Sequence, residues 1–313
     1  MKNLKKNLII IFTLVVVLLI IFFINYSNNY KITEEYMVMG FYDENLNPFT
    51  SDDINIDYSK NTFKFNFLLE NRFKSDKEYI LKFLVNDKFI EYNINDISNS
   101  EFLISIKKDT KQIFKIDIPY TYLNKELNYC ELILFEKYNI NDDVVRQIEP
   151  KIYSSQFTLK FNDKTINNDN MENSIDIYDY LNTFNSKYNK ELFITSNKPS
   201  INSKSLINEN LNLSYKNNQI YLNITNLYNN YMDYKVYFLN NYNLIEINNL
   251  PYLYIKLNKG EQVSIPISIN LNSSNINDEL IFMLVSEPFN LIDDTDNKSE
   301  KISVFSQIVK ITN

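Results

Sequence analysis

From Tyr36 onward, apolar and polar residues alternate over short runs, the period of strands that bury one face and wet the other. Phe63, Phe65, Phe67 and Leu69 make one apolar row against Lys64, Asn66, Leu68 and Glu70. Tyr79, Leu81, Phe83 and Val85 make the next. Asn86-Asp87-Lys88 then reads as a turn leading into residues 89–94, so a hairpin is expected there. Similar runs at 102–106, 113–118, 132–135 and 157–161 complete a first β-sandwich over residues 30–162. Residues 140–150 carry too many charges for a core strand and are expected as an excursion.

A second set begins near Leu192. It has runs at 211–215, 219–225, 234–239, 252–257, 262–270, 279–286 and 302–311, which predict a second sandwich over residues 191–313. Val263, Ile265, Ile267 and Ile269 alternate with Ser264, Pro266, Ser268 and Asn270. Pro266 has no amide hydrogen for a ladder, so that strand is expected at an edge or with a bulge. Residues 163–190 form a polar connector between the two sets. Within it Ile177, Tyr180, Leu181, Phe184 and Tyr188 recur at helical spacing, which predicts a short helix from Ser174 to Tyr188.

The pattern stops altogether from Leu8 to Ile24, where the residues are apolar apart from Thr13, behind a start that carries Lys2, Lys5 and Lys6. A helix of that length reaches the short end of a bilayer span. No small-residue cleavage pattern follows, so residues 8–24 are expected as a transmembrane signal-anchor, with a cleaved signal peptide as the alternative. The flanking lysines would keep residues 1–7 in the cytoplasm. The expectation is a single-pass protein of the cell membrane, touching the lipid bilayer through residues 8–24, with extracellular C-terminal domains.

Composition sharpens this picture in two ways. The net charge is −7, and more acidic still once the three N-terminal lysines are set aside, which argues against a nucleic-acid partner. Arg occurs only at 72 and 146, Ala, His and Trp are absent, and Lys, Asn, Ile, Phe and Tyr dominate. These are the residues of A+T-rich codons, so the bias is that of a low-G+C, bacterial genome. The lone Cys130 lies in the strand-like stretch Cys130 to Phe135 and reads as a small buried hydrophobe.

Without histidine, the usual catalytic triads, His-bearing zinc sites and histidine acid–base steps are excluded. The two glycines, Gly40 and Gly260, do not make a phosphate-binding loop. Asp293, Asp294 and Asp296 offer oxygen ligands of the kind calcium takes, but lack EF-hand spacing and read foremost as a solvated loop. Asp52-Asp53 and Asp142-Asp143 read as loops. Tyr228, Tyr231, Tyr234, Tyr237, Phe238 and Tyr242 form the densest aromatic cluster. Because interface hot spots are rich in tyrosine, Tyr228, Tyr231 and Tyr234 are the candidate binding residues.

Leu257-Asn258-Lys259-Gly260-Glu261 stands between two strong strands, where glycine takes positive φ without steric cost. This resembles the Leu-x-x-Gly-Glu hairpin of immunoglobulin-like and fibronectin-type-III-like sandwiches in bacterial surface proteins, over roughly residues 205–290. The resemblance implies architecture and no activity. The fold class expected is all-β: two tandem immunoglobulin-like sandwiches behind one transmembrane helix. The expected role is a non-catalytic scaffold or protein-interaction module at the bacterial cell surface, with a protein partner and no cofactor. The alternative is a glycan- or calcium-binding ectodomain.

Overall fold

The computed structural model describes residues 35–49, 53–56, 61–123, 127–137, 151–161, 191–197, 211–214, 219–228, 231–246, 250–269, 275–286 and 303–312. Among them there is no α-helix, and one 3-10 turn, Tyr120–Tyr122, interrupts the strands.

The first part of the chain supplies β1 (Met37–Tyr42), β2 (Asp53–Ile56), β3 (Thr62–Asn71), β4 (Lys77–Val85), β5 (Lys88–Phe89), β6 (Tyr92–Ile94), β7 (Ile97–Asn99), β8 (Phe102–Ile106), β9 (Thr110–Pro119), β10 (Leu127–Glu136) and β11 (Ile152–Phe161). One sheet runs β1-β3-β9-β6-β7. The other runs β2-β11-β10-β4, with β5 and β8 both beside β4. The second part supplies β12 (Leu192–Thr195), β13 (Leu211–Ser214), β14 (Gln219–Thr225), β15 (Met232–Asn240), β16 (Asn243–Ile245), β17 (Leu253–Leu257), β18 (Gln262–Ser268), β19 (Glu279–Ser286), β20 (Ser303–Phe305) and β21 (Val309–Thr312). Here one sheet runs β12-β14-β18. The other runs β13-β21-β19-β15, with β16 and β17 beside β15 and β20 beside β19.

Each pair of sheets closes on the rows that the alternation predicts. Phe63, Phe65, Phe67 and Leu69 of β3 pack against Tyr79, Leu81 and Phe83 of β4 and Cys130, Leu132 and Leu134 of β10. Ile220, Leu222 and Ile224 of β14 meet Val236 and Phe238 of β15 and Phe282 and Leu284 of β19. Each such side chain contributes about 1.5–3 kcal/mol when fully buried. Burial likewise pushes the Cys130 thiol well above its ordinary value, which keeps it protonated and inert.

The same strand order therefore occurs twice. In each half an early strand lies parallel to the last one: β2 beside β11, and β13 beside β21. Read as letters, β1-β3-β9-β6 is A-B-E-D and β4-β10-β11 is C-F-G, the immunoglobulin-like arrangement. The second half repeats A-B-E and C-F-G but has no described strand in place of D.

Local chemistry repeats as well. Asn71, at the end of β3, donates from Nδ2 to the Ile106 carbonyl at 3.2 Å and accepts the Phe73 amide at 2.9 Å. Asn226, just past β14, donates to the Leu257 carbonyl at 3.0 Å and accepts the Tyr228 amide at 2.9 Å. In a chain with two glycines, Asn and Asp also supply the left-handed residues of tight hairpins. Asn86 and Asp87 join β4 to β5, Asn95 and Asp96 join β6 to β7, and all four have φ between 46° and 71°. Gly260 has φ of 72°, as its hairpin requires.

A third apolar cluster joins the halves. Leu84, Tyr129, Ile133 and Phe135, on the outer face of the first C-F-G sheet, pack against Tyr237, Leu239, Ile281, Met283 and Val285 on the outer face of the second. The hairpin turns cross this seam in both directions. Asp87 accepts Lys235 Nζ at 2.7 Å and the Tyr237 hydroxyl at 2.5 Å. From the other side, Asn243 accepts Lys82 Nζ at 2.6 Å, and the Tyr242 ring lies 4.7 Å from that of Phe135.

Three expectations need correction. Residues 302–311 form two strands, because Ser306 and Gln307 break the run: Gln307 Nε2 donates to the Ile194 carbonyl at 2.5 Å, and its Oε1 accepts the Ile194 amide at 3.1 Å. Asp53 opens strand β2, opposite Thr158, and is no loop residue. The single-pass cell-membrane placement also falls: the described residues contain no α-helix, and none of their helices is long and apolar enough to cross a membrane. Leu8 to Ile24, the predicted helix at 174–188 and the excursion at 140–150 lie outside the described residues. Function is accordingly read from the sheets alone.

Candidate interaction site

The tyrosine cluster is divided among three environments. Tyr228 is half-buried against the second core, and Tyr234 is wholly inside it, its hydroxyl donating to Asn226 Oδ1 at 3.3 Å. Tyr237 and Tyr242 belong to the seam, and Phe238 to the core. Of the three candidates only Tyr231 is exposed, at 45%. Partial burial and the neighbouring Asp233 push its hydroxyl above the ordinary range, and Asp233 also accepts the Tyr254 hydroxyl at 2.6 Å. Asp233 thus holds both Tyr231 and Tyr254 at the sheet surface, and Tyr231 is the one ring of the three candidates that faces solvent. Asp293, Asp294 and Asp296 lie outside the described residues, as do Asp142 and Asp143. Among the described residues no three His, Cys, Asp or Glu side chains come together as metal ligands do.

A more coherent surface lies where β8 passes into β9, on the side on which both sheets of the first half end. Along an antiparallel strand, successive residues turn their main-chain N–H and C=O to opposite neighbours. In β9 the Lys115 carbonyl accepts the Asn95 amide at 3.0 Å, while the Tyr120 amide donates across to Asn61 at 3.0 Å. Odd residues of β9 therefore face β6 and even ones face β3. But β6 pairs only with Ile116 and Asp117. The main-chain groups of Lys111 and Ile113 thus point to a side on which no described strand pairs with them.

Strand β8 is open in the same sense. The Lys137 amide donates to the Glu78 carbonyl at 2.8 Å, so even residues of β4 face β10 and odd ones face β8. Residues 102, 104 and 106 of β8 then pair with β4, and Leu103 and Ser105 turn outward. The two open stretches are separated by the short turn of residues 107–109, in which Asp109 has φ of 53°. Both carry an exposed apolar side chain in an otherwise polar row: Leu103 is 60% exposed and Ile113 44%. Exposed edges of this kind are templates for pairing with another chain.

At the foot of this side, between the sheets, is a cleft of about 760 Å3. Lys77, Ile106, Gln112 and Glu136 are among its lining residues, and Lys107, Lys111 and Lys137 stand exposed around it. Lys77 and Glu136 form an ion pair at 2.6 Å, and Lys77 Nζ also lies 4.8 Å from the centre of the Phe73 ring.

Sequence reading placed β9 as a strand and passed over its edge. The readable signal was Ile113 between Lys111 and Lys115, an apolar residue in the solvent row. What no pattern shows is that β6 stops short of it.

No family model matches this chain, and no curated protein matches it in sequence. Among solved structures it is similar to a chain of the complex between zinc 2-glycoprotein and prolactin inducible protein from human seminal plasma. That match has 10% identity, covers 42% of this chain and 99% of that one, and scores 0.28 in TM-score. The periplasmic chaperone SfaE aligns at 9% identity over 87% of this chain and 99% of its own, with a TM-score of 0.25. The CARDB domain of a Pyrococcus furiosus protein aligns at 8% over 41% and 88%, with a TM-score of 0.23. At such scores the likenesses add nothing to the fold, which stands on its own sheet order.

Proposed function

We propose that this chain is a non-catalytic protein-interaction module of two immunoglobulin-like sandwiches, and that a partner docks by adding a strand along the open β8–β9 side. The observation that supports the reading is the pair of main-chain stretches, Leu103 with Ser105 and Lys111 with Ile113, whose outward side no described strand pairs. Strand addition draws affinity from main-chain hydrogen bonds and specificity from alternate side chains, and Leu103 and Ile113 supply the apolar contacts.

A photo-crosslinking residue at Ile113, with a second at Ser268 on the outer edge of β18, tests the reading in the producing cell. Adducts at 113, absent at 268 and lost in Leu103→Pro, are expected. Equal labelling at both positions, or none at 113, would overturn it.

A further inference from the structure

The cleft at the foot of the open side holds a group that pairing along an edge does not use. Glu136 continues the inward row of β10 after Cys130, Leu132 and Leu134, which carries its carboxylate to the open end of the space between the sheets. It is 6% exposed. Its Oε1 takes the Lys77 ammonium at 2.6 Å, whereas Oε2 is buried with no hydrogen-bond partner. An acceptor kept in that state costs about 1–3 kcal/mol or more, unless something that enters the cleft donates to it.

The charges around it are of the opposite kind. Lys77, Lys107, Lys111 and Lys137 line the cleft with Asp76, Glu78 and Glu136, a local positive surplus on a chain whose net charge is −7. Two of those carboxylates are already engaged: Asp76 accepts the Lys108 amide at 2.8 Å, and Glu78 lies 3.4 Å from the Ser105 hydroxyl. The three rim lysines are exposed. A fitting ligand brings anionic groups for the rim and a hydrogen-bond donor for Glu136. An extended peptide rich in Asp or Glu meets both, since its carboxylates reach the lysines and its amides or hydroxyls donate.

Resting on the strand-addition reading, we propose that the cleft selects an acidic, extended segment of the partner. Its main chain runs along Lys111 and Ile113, its carboxylates meet Lys107, Lys111 and Lys137, and one N–H or O–H donates to Glu136 Oε2.

The test is selection of a phage-displayed random-peptide library on the full chain. The enriched pool should carry an excess of Asp and Glu and should bind more weakly as salt screens the lysines. Reversing the rim with K107E/K111E/K137E should weaken the pool at least about ten-fold, as three exposed ion pairs together allow. Glu136→Gln, which turns an amide donor toward the incoming donor, should weaken it by a similar factor of about ten. If Glu136→Gln lowers the melting temperature too far to assay, the exposed lysine variant decides alone. A neutral or basic pool, or one that the rim reversal leaves unchanged, overturns the acidic-segment proposal. Loss on Ile113→Pro together with indifference to the lysines would sink it while strand addition stands. A pool indifferent to Ile113→Pro as well would take both away.

Discussion

Strands β9 and β18 hold the same place in the two halves of the chain, each beside the strand lettered B, yet their outer edges are built in opposite ways. In β18 the Asn226 amide donates to Glu261, so odd residues face β14 and Pro266 faces outward. A proline there gives up no ladder hydrogen bond and removes the donor that an intruding strand would need. In β9 the outward positions are Lys111 and Ile113, whose amides are intact, and β6 covers only the stretch beyond them. One fold can therefore close an edge with a single imino acid or leave it available, and the choice is local to the strand. The halves differ at their turns too. Asp87 holds Lys235 and Tyr237 in a seam where Lys235 is 3% exposed, while the answering Asn243 meets a Lys82 that also has Glu101 at 3.1 Å.

The largest effect expected from this asymmetry is at Asp87. Burial pulls the Lys235 ammonium below its ordinary value, and Asp87 opposes that pull. Asp87→Ala deprives a buried ammonium and a buried phenol of their shared acceptor, and breaking a buried pair from one side costs about 3–5 kcal/mol. The lower end applies because Asp87 is 23% exposed. Asn243→Ala should cost only about 1 kcal/mol, since Lys82 keeps Glu101. Urea unfolding of the two variants measures the difference, and equal losses would mean that the two turns are energetically alike.

A smaller effect separates the strands of the seam. The outer row of β10 carries Glu131, wholly buried, where β19 offers Ile281, Met283 and Val285. Burial pushes the Glu131 carboxyl above its ordinary value of 4.5, against hydrogen bonds from Ser303, Tyr129 and Ser154. A raised carboxyl holds its proton in the folded state where the unfolded chain has lost it. Its contribution is complete below the ordinary value and is lost as pH climbs through the raised one. Glu131→Gln has no proton to lose, so its melting temperature should gain on that of the native chain as pH rises above 4.5. A gap that does not move with pH would mean that Glu131 is ionised in the seam.

Most of the sheet content was open to inspection in the sequence, because the buried rows of β3, β4, β14 and β19 are runs of alternating aromatic and aliphatic residues. Pro266 announced its edge by lacking an amide hydrogen. The duplication was harder to see. It rests on Asn71-Arg72-Phe73 and Asn226-Leu227-Tyr228 making the same corner, a likeness of hydrogen bonding with little likeness of sequence. The aromatic cluster misled because density along the chain says nothing of direction: Tyr234 and Tyr237 are close in sequence and point to opposite faces of one sheet, into the core and into the seam. The open edge of β9 depends on where β6 ends, a fact about pairing across the sheet that periodicity does not encode.

The smallest energetic effect is the sharpest test of the two edges. Pro266 faces out from β18, so Pro266→Val touches no ladder bond and should change stability by no more than about 0.5 kcal/mol. Valine restores an outward amide beside that of exposed Ser268, whereas Ser264 is buried. The accessible end of β18 then offers consecutive outward amides, with none of the lysines that guard β9. Concentration-dependent self-association, seen in sedimentation velocity and absent from the native chain, is the expected outcome. Its suppression by Ser268→Lys would show that association runs through this edge. A variant that sediments as the native chain does at every concentration would mean that Pro266 is not what keeps the edge closed. The contrast between β9 and β18 would then have to come from the lysines alone.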